Sequence, residues 1–294
     1  MSAAVDIARL QSWIGRQETR EDTVTPVPVA ALAATLDLAV PPARIGDGLP
    51  PLWHWLYFLP LHRRSELGPD GHAKRGGFLP PVPLPRRMWA GGRLEFLAPL
   101  RVGETIRRVS SVMNVTEKRG RSGSLVFVVV RHEIVGPQGL ALTEEHDIVY
   151  REGGALSTSR PGTALPADPL WARQIVADDV LLFRYSALTF NGHRIHYDRR
   201  YATETEGYPG LIVHGPLIAT LLAGLAAEAM PEATMSTFEF RAVAPVFDTG
   251  PFRIAGRPDG APERLLLWAE TAEGHLAMEA RATMVTPPTR PSCG

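Results

Sequence analysis

The segment GPLIATLLAGLAAEAMP, residues 215–231, determines our interpretation of the fold. Pro216 stands just inside its start, where proline fits a helix, and Pro231 stands at its end, where proline stops one. Because the run between them is apolar nearly all round, the helix should be buried. Two strand-like segments follow at residues 238–246 and 264–285. The pattern therefore predicts a sheet wrapped around a buried helix.

The first half of the chain repeats this order of elements. Pro51 opens the apolar run LWHWLYFL, residues 52–59, and Pro60 closes it. The strand-like segments that follow are residues 94–100, 106–115 and 125–149. Ala98-Pro99-Leu100 also echoes Ala244-Pro245-Val246. Apolar runs bounded by proline are common, so a chance likeness is the alternative, but the shared order favours an internal duplication.

A linker separates the two halves. Residues 153–169, GGALSTSRPGTALPADP, have no hydrophobic periodicity and are rich in Gly, Pro, Ser and Thr. They divide the 294 residues into segments 1–152 and 170–294, each long enough for its own core. We therefore expect an N-terminal domain, a linker and a C-terminal domain.

The composition excludes several classes of protein. Lys plus Arg and Asp plus Glu both number 31, which argues against a general nucleic-acid binder. Cys293 is the only cysteine, so the sequence offers no disulfide, cysteine metal cluster or credible thiol nucleophile. Residues 1–14 do not resemble a signal peptide, and the apolar run 216–230 is too short to span a membrane. We expect a cytoplasmic protein without a membrane partner.

Only the second half looks equipped for chemistry. It carries the polar cluster NGHRIH at residues 191–196, which has no counterpart in the first half. The first half instead has an insertion between its helix and its strands, residues 61–93. A connection of that length without periodicity is usually functional or disordered.

The segment FRYSALTFNGHRIHYDRRYATETEGYPGLIVHG, residues 183–215, resembles the hot-dog hydratases and dehydratases of the MaoC family. The resemblance implies an α+β double hot-dog, in which two antiparallel sheets each wrap a buried helix. In that family a loop carries an acid and, five positions later, a catalytic histidine. The spacing places His196 at the histidine and Asn191 at the acid, which is a departure from the family pattern.

Three phrases resemble a narrower group, the mesaconyl-C4-CoA hydratases and the mitochondrial-type 3-hydroxyacyl thioester dehydratases. They are TFNGHRIHYD, EGYPGLIVHGPL and, in the first half, GGFLPPVPLPRRMWAGG. The resemblance extends over residues 13–285. It implies a hydro-lyase for a short, possibly dicarboxylic, enoyl-CoA, with C-terminal catalysis and an N-terminal domain that helps to bind substrate.

Hydration of a conjugated thioester needs a base for water, an acid for the α-carbon and donors for the thioester oxygen. His196 can share the first two roles because imidazole titrates near neutral pH. Asn191 cannot ionise and can only orient water or imidazole, so His193 is a candidate for the missing base. Gly215 at the helix start can bring the thioester oxygen close to N–H groups. Alternatively, the histidines bond backbone carbonyls and Gly215 serves only the turn.

Coenzyme A should be bound by arginines, whose planar guanidinium suits phosphates and carboxylates. The candidates are Arg241, Arg184, Arg194, Arg86 and Arg87. Each of them also fits a solvated surface charge. We expect Arg86-Arg87 to lie on a stiff, proline-rich arm that covers the ligand. The sequence suggests neither a metal nor a separate cofactor, because HRIH lacks the spacing of a zinc hydrolase.

Three alternatives to an acyl-CoA hydratase remain open. They are a 3-hydroxyacyl dehydratase acting on acyl-carrier protein, a hot-dog thioesterase, and a non-catalytic acyl-CoA binder. The Asn191 departure favours the last of these. We also expect a homodimer, since paired hot-dog domains often associate through open sheet edges.

Overall fold

A computed structural model of the protein describes residues 5–39, 43–120, 123–152 and 164–286. Cys293 and residues 153–163 of the predicted linker lie outside the described residues. Residues 164–169 form neither helix nor strand. The domain limits at residues 152 and 170 stay predictions.

Ten strands in the described residues form one antiparallel sheet. The strands are β1 (Gln17–Thr23), β2 (Arg86–Phe96), β3 (Thr105–Gly120), β4 (Gly123–Gly136), β5 (Gly139–Arg151), β6 (Trp171–Ile175), β7 (Thr234–Ala242), β8 (Phe252–Asp259), β9 (Ala261–Glu270) and β10 (Leu276–Val285). Their order across the sheet is β1-β3-β4-β5-β2-β7-β10-β9-β8-β6. The first five strands and the last five thus have the same arrangement, and the two sets meet where β2 pairs with β7.

The Ala-Pro echo in the sequence occupies the same place in both sets. After β2, the N–H groups of Leu97 and Ala98 donate to the carbonyl of Ala141. After β7, the N–H groups of Val243 and Ala244 donate to the carbonyl of Ala277 in the same manner. A shared hydrogen-bond pattern at matching strand ends supports the interpretation of the chain as a duplication.

The α-helices in the described residues are α1 (Ile7–Gln11), α2 (Pro26–Thr35), α3 (Asp179–Leu188) and α4 (Gly215–Ala229). The predicted buried helix is α4, which lies against β7, β8, β9 and β10. Eight of its residues are buried, because its sequence is apolar on nearly every side. None of the described helices is both long and apolar enough to cross a membrane.

The predicted helix at residues 52–59 was wrong. This segment forms only the 3-10 turn Trp53–Leu56. Leu52 and Phe58 adopt the left-handed backbone region, with φ of 69° and 56°, and this conformation interrupts a right-handed helix at both ends. Side chains of α2 share in filling the core of the first half, alongside the turn.

The position of Arg86 and Arg87 also differs from the prediction. Both residues belong to β2, where they pair with Arg151 and Tyr150 of β5. The irregular part of the insertion is therefore confined to residues 61–85, called the inserted segment below. Since the β-ladder holds both arginines, they do not lie on a free arm.

Candidate active site

A cavity of about 1660 Å³ is lined by both halves of the chain. Its wall includes the inserted segment, the start of α4, and most of the polar loop, residues 189–196. Eight arginine and lysine residues line it, against four aspartate and glutamate residues. Such an excess of positive charge suits an anionic ligand.

His196 is fixed by a backbone hydrogen bond at the end of the polar loop. Its Nδ1 lies 2.8 Å from the carbonyl oxygen of Ile212, which places the ring proton on Nδ1 and leaves Nε2 as an acceptor. The residue is only 8% exposed. Burial, with a contribution from His72, lowers the pKa of His196 to about 4, although the Ile212 bond opposes this shift. His196 is therefore a neutral base near pH 7.

A second buried imidazole supports this ring. The rings of His196 and His214 are stacked, with centroids 3.8 Å apart. His214 Nε2 is in turn hydrogen-bonded to Ser186 Oγ of α3 at 2.8 Å. His214 is completely buried, and burial lowers its pKa well below the ordinary value. His214 therefore lies behind His196, between that ring and Ser186 of α3.

Asn191 lines the cavity and is held by the polar loop itself. Its N–H donates to the carbonyl of Ser186 at 2.8 Å, and its Oδ1 accepts the N–H of His193 at 3.0 Å. The carbonyl end of the amide is thus engaged with the backbone. The remaining NH2 group can orient a ligand but cannot take up a proton.

His193 contacts a histidine that the sequence reasoning missed. Its ring centroid lies 3.9 Å from that of His72, in the inserted segment, and 5.4 Å from that of His196. His72 Nδ1 lies 3.0 Å from Asp70 Oδ2. Burial, followed by the neighbouring His72 and His196, lowers the pKa of His193 well below its ordinary value. The phrase PDGHAK in the insertion was the available signal for this acid–histidine pair.

The inserted segment docks directly on the polar loop. The N–H of Arg194 donates to the carbonyl of Asp70 at 2.9 Å, and its Nη1 donates to that of Pro69 at 3.0 Å. Gly71 has a φ of 88°, and a Cβ there would lie 1.8 Å from the carbonyl oxygen of Gly192. A glycine is therefore needed for this contact.

Arg194 also forms an ion pair with Asp198 at 2.8 Å and lies over the ring of Tyr201. Through these contacts Arg194 joins the inserted segment to the polar loop, and its predicted contact with CoA stays a prediction. Arg241 on β7 and Arg184 on α3 are exposed and lie outside the lining of the cavity. Their positions do not support the predicted role in binding CoA.

Arg86 and Arg87 both line the cavity but differ in their surroundings. Arg86 forms an ion pair with Glu206 at 3.1 Å and lies over the ring of Tyr208. The side chain of Arg87 makes no hydrogen bond or ion pair to any other described residue, yet its charge contributes to the lowered pKa values of His72 and His193. Arg87 is therefore the cation near the histidines that a ligand can engage.

Gly215 begins α4 at the wall of the cavity. The N–H groups of a first helical turn have no acceptor within the helix, and they lie at the positive end of the helix dipole. The nearest atom to a Cβ built on Gly215 is Met278 Cε at 4.0 Å, so packing alone does not require glycine. This observation favours the predicted close approach of a ligand oxygen.

Sequence comparisons identify the family. Residues 52–248 match the family model described as hydroxyacyl-thioester dehydratase type 2. The chain belongs to this family. It is 48% identical over 270 residues to a mesaconyl-C(4)-CoA hydratase of Chloroflexus aurantiacus, covering 92% of this chain and 95% of that relative. It is 29% identical over 266 residues to the mitochondrial hydroxyacyl-thioester dehydratase type 2 of Schizosaccharomyces pombe, covering 80% and 88% of the two chains.

Solved structures show the same fold. A MaoC-like dehydratase matches with a TM-score of 0.68 at 14% identity, covering 93% of this chain and 99% of that one. A conserved hypothetical protein from Mycobacterium tuberculosis with a double hot-dog fold matches at 0.56 and 15% identity, covering 92% and 96%. These findings confirm the predicted α+β double hot-dog. The relatives confirm the predicted resemblance and the class of acyl-thioester hydro-lyases.

This member of the hydroxyacyl-thioester dehydratase type 2 family has a second polar cluster in its first half, also missed from the sequence. Glu144 is completely buried, and its carboxylate contacts His54 at 3.0 Å, Trp55 at 2.9 Å and His146 at 3.1 Å. Burial alone would raise the pKa of Glu144, but the two histidines lower it well below its ordinary value. Glu144, Trp55 and His146 line the same cavity.

Two groups of side chains have the spacing that a metal ion requires. The first group is Asp70, His72 and His193, and the second is His132, Glu144 and His146. Within each group the possible ligand atoms all lie within 4.8 Å of one another. In the first group, the hydrogen bond between Asp70 and His72 already engages both side chains. The absence of a metal stays a prediction, which chelation can test.

Proposed function

We propose that the protein adds water to a short enoyl-CoA that carries a second carboxylate, such as mesaconyl-C4-CoA, to give citramalyl-CoA. The observation that supports this most directly is His196, a buried neutral imidazole with an available Nε2 in the cavity wall. The start of α4 lines the same cavity, so a base and donors for a thioester oxygen face one space. The relative at 48% identity has this activity by name.

In the proposed reaction, water attacks the β-carbon of the double bond. Nε2 of His196 takes one proton from the water as its oxygen bonds to that carbon. The electron pair of the double bond moves towards the thioester oxygen, where the N–H groups at the start of α4 stabilise the charge. The imidazolium of His196 then returns the proton to the α-carbon, so the reaction releases no proton.

Arg87 is the proposed partner of the second carboxylate. Burying a carboxylate without a cation costs several kcal/mol, and Arg87 lines the cavity without an ion pair to any other described residue. The other cations around the cavity, including Arg64, Lys74 and Arg151, are proposed to meet the phosphates of CoA. This assignment replaces the earlier candidates Arg241 and Arg184.

The family match favours one further candidate, dehydration of a 3-hydroxyacyl thioester. The same residues would serve, because hydration and dehydration share one transition state. The length of the preferred acyl group separates the two functions. A thioester carried on acyl-carrier protein would need a docking surface at the mouth of the cavity, and a CoA ester would not.

The proposal is tested with a panel of enoyl-CoA and 3-hydroxyacyl-CoA esters, followed by mass spectrometry. Gain of one water on the dicarboxylic enoyl-CoA is the expected result. Faster loss of water from long 3-hydroxyacyl esters would favour the second candidate. Release of free CoA would indicate a thioesterase, and tight binding without turnover would indicate a non-catalytic binder.

We propose a homodimer in the cytoplasm as the form in which the protein works. Among the described residues, no further strand pairs with the outer edge of β1 or of β6. An open edge is a common surface for self-association. Sedimentation analysis would measure the oligomeric state, and a tagged copy would report the compartment.

A further inference from the structure

The polar loop lacks the carboxylate that the resemblance to the MaoC family implies at position 191. Asn191 occupies that position, and its Oδ1 is engaged by the backbone of His193. Four acids line the cavity, and three are engaged away from the polar loop. Glu18 pairs with Arg20, Glu206 with Arg86, and Glu144 with its own cluster of histidines. Asp70 is the remaining acid, and it reaches the polar loop through His72.

The geometry of Asp70 and His72 resembles the acid and base of a catalytic triad. The carboxylate accepts a hydrogen bond from Nδ1 of the imidazole at 3.0 Å, which leaves Nε2 as an acceptor. Asp70 Oδ1 also accepts the N–H of His72 at 3.1 Å, so the carboxylate holds both the ring and the backbone. The side chain of His72 is 22% exposed, and it lines the cavity. Its position is therefore both fixed and open to a ligand.

His72 lies on the same wall of the cavity as the residues of the polar loop. Its ring contacts that of His193, and the ring of His193 in turn contacts that of His196. The close contact between Gly71 and Gly192, together with the two hydrogen bonds from Arg194, holds the inserted segment against the polar loop. His72 and His196 line the same cavity and are close enough for His72 to contribute to the lowered pKa of His196.

We propose that His72, oriented by Asp70, is a catalytic residue that binds the attacking water in place of the acid missing at position 191. This inference rests on the proposed hydratase function and assigns part of that site to the first half of the chain. Nε2 of His72 accepts the O–H that His196 does not take, which directs a lone pair of the water towards the β-carbon. No proton is transferred to His72, so the balance of the reaction is unchanged. Asp70 is a positioning residue, since it acts through His72.

The test compares Asp70→Asn and His72→Ala with a control, His275→Ala. His275 is exposed and lies outside the lining of the cavity. We expect both site variants to lower kcat roughly a hundredfold or more, with KM changed less than about threefold. Added imidazole should partly restore His72→Ala. His275→Ala should remain within about twofold of wild type.

The alternative outcomes separate this inference from the hydratase proposal. If wild type hydrates the enoyl-CoA and both site variants retain its kcat, the role of His72 is overturned while the hydratase function stands. A rise in KM or a fall in melting temperature with unchanged kcat would leave the pair a purely structural role. Loss of wild-type activity on chelation, with recovery on adding a divalent cation, would make the pair metal ligands and also overturn the inference. If wild type itself hydrates nothing, the proposed function fails first.

Discussion

The imidazole ring of His196 lies nearly parallel to that of His214, with an angle of 18° between their planes. Both residues are buried, and burial lowers the pKa of each ring. His214 thus supports one face of the ring of His196, while the Ile212 carbonyl fixes its tautomer. The site holds a neutral base in one orientation before any substrate arrives.

His196→Ala should reduce turnover by roughly a hundredfold or more, because it removes the acid–base group. The fold should remain, as judged by circular dichroism. Steady-state kinetics on the best ester of the panel measures the effect, with the exposed His275→Ala as a control. Turnover near that of wild type would contradict the assignment of His196.

Asn191→Asp should keep measurable hydratase activity, because it restores the family acid and its Oδ1 can still accept the His193 N–H. The new negative charge favours the imidazolium form of nearby histidines, so the acidic limb of the pH–rate profile should move to higher pH. An inactive variant that folds and still binds CoA would show that the amide itself is required.

Arg87→Gln should raise KM for a dicarboxylic enoyl-CoA at least tenfold and change KM for crotonyl-CoA little. The reason is that crotonyl-CoA carries no second carboxylate to pair with the guanidinium. Arg86→Gln is the matched control on the same strand, and the selectivity between the two esters should stay unchanged. Equal losses on both esters in Arg87→Gln would instead place Arg87 on the CoA phosphates or in the fold.

Folding stability should begin to fall when the pH drops below about 6.5, which is a higher pH than protonation of carboxylates alone would require. Burial lowers the pKa values of five histidines: His72, His132, His193, His196 and His214. Below pH 6.5 the unfolded chain therefore binds more protons than the native state. Each of these histidines then lowers the free energy of unfolding by about 1.4 kcal/mol for every unit that the pH falls. For His196 this window extends down to about pH 4. Urea unfolding between pH 8 and 5 measures the slope, and a flat profile would refute the prediction.

Glu144→Ala should lower the free energy of unfolding by about 3–5 kcal/mol, because it leaves buried His54 and half-buried Trp55 without their acceptor. The neighbouring Glu145→Ala is the control. Glu145 pairs with Arg93 on a partly exposed surface, where such a pair contributes about 1 kcal/mol or less. Chemical denaturation of both variants compares them, and equal losses would show that the Glu144 cluster is not a stabilising element.

Much of the second half could be predicted because its signals are local. The two prolines and the apolar run of α4 specify one buried helix, and the Ala-Pro phrase marks matching strand ends in both halves. The helix predicted after Pro51 failed because the left-handed residues Leu52 and Phe58 are decided by tertiary packing. Neither leucine nor phenylalanine favours that conformation, so the sequence gives no sign of it.

The site was predicted only in part, for a similar reason. Asn191, His193 and His196 are close in the sequence, whereas Asp70 and His72 join them through contacts that no local pattern encodes. Glu144 was missed because its partners come from a separate turn and a neighbouring strand position. An acid on a strand ordinarily indicates a solvent-facing position.

The contact between Arg194 and Pro69 joins residues 125 positions apart in the chain. The hairpins of β3, β4 and β5 need only short loops to close, so they can form early during folding. The polar loop can reach its native form only after both halves have met, because its backbone is completed by the inserted segment. In a refolding experiment, enzyme activity should therefore return later than sheet structure. The length of the delay would measure how slowly the two halves associate.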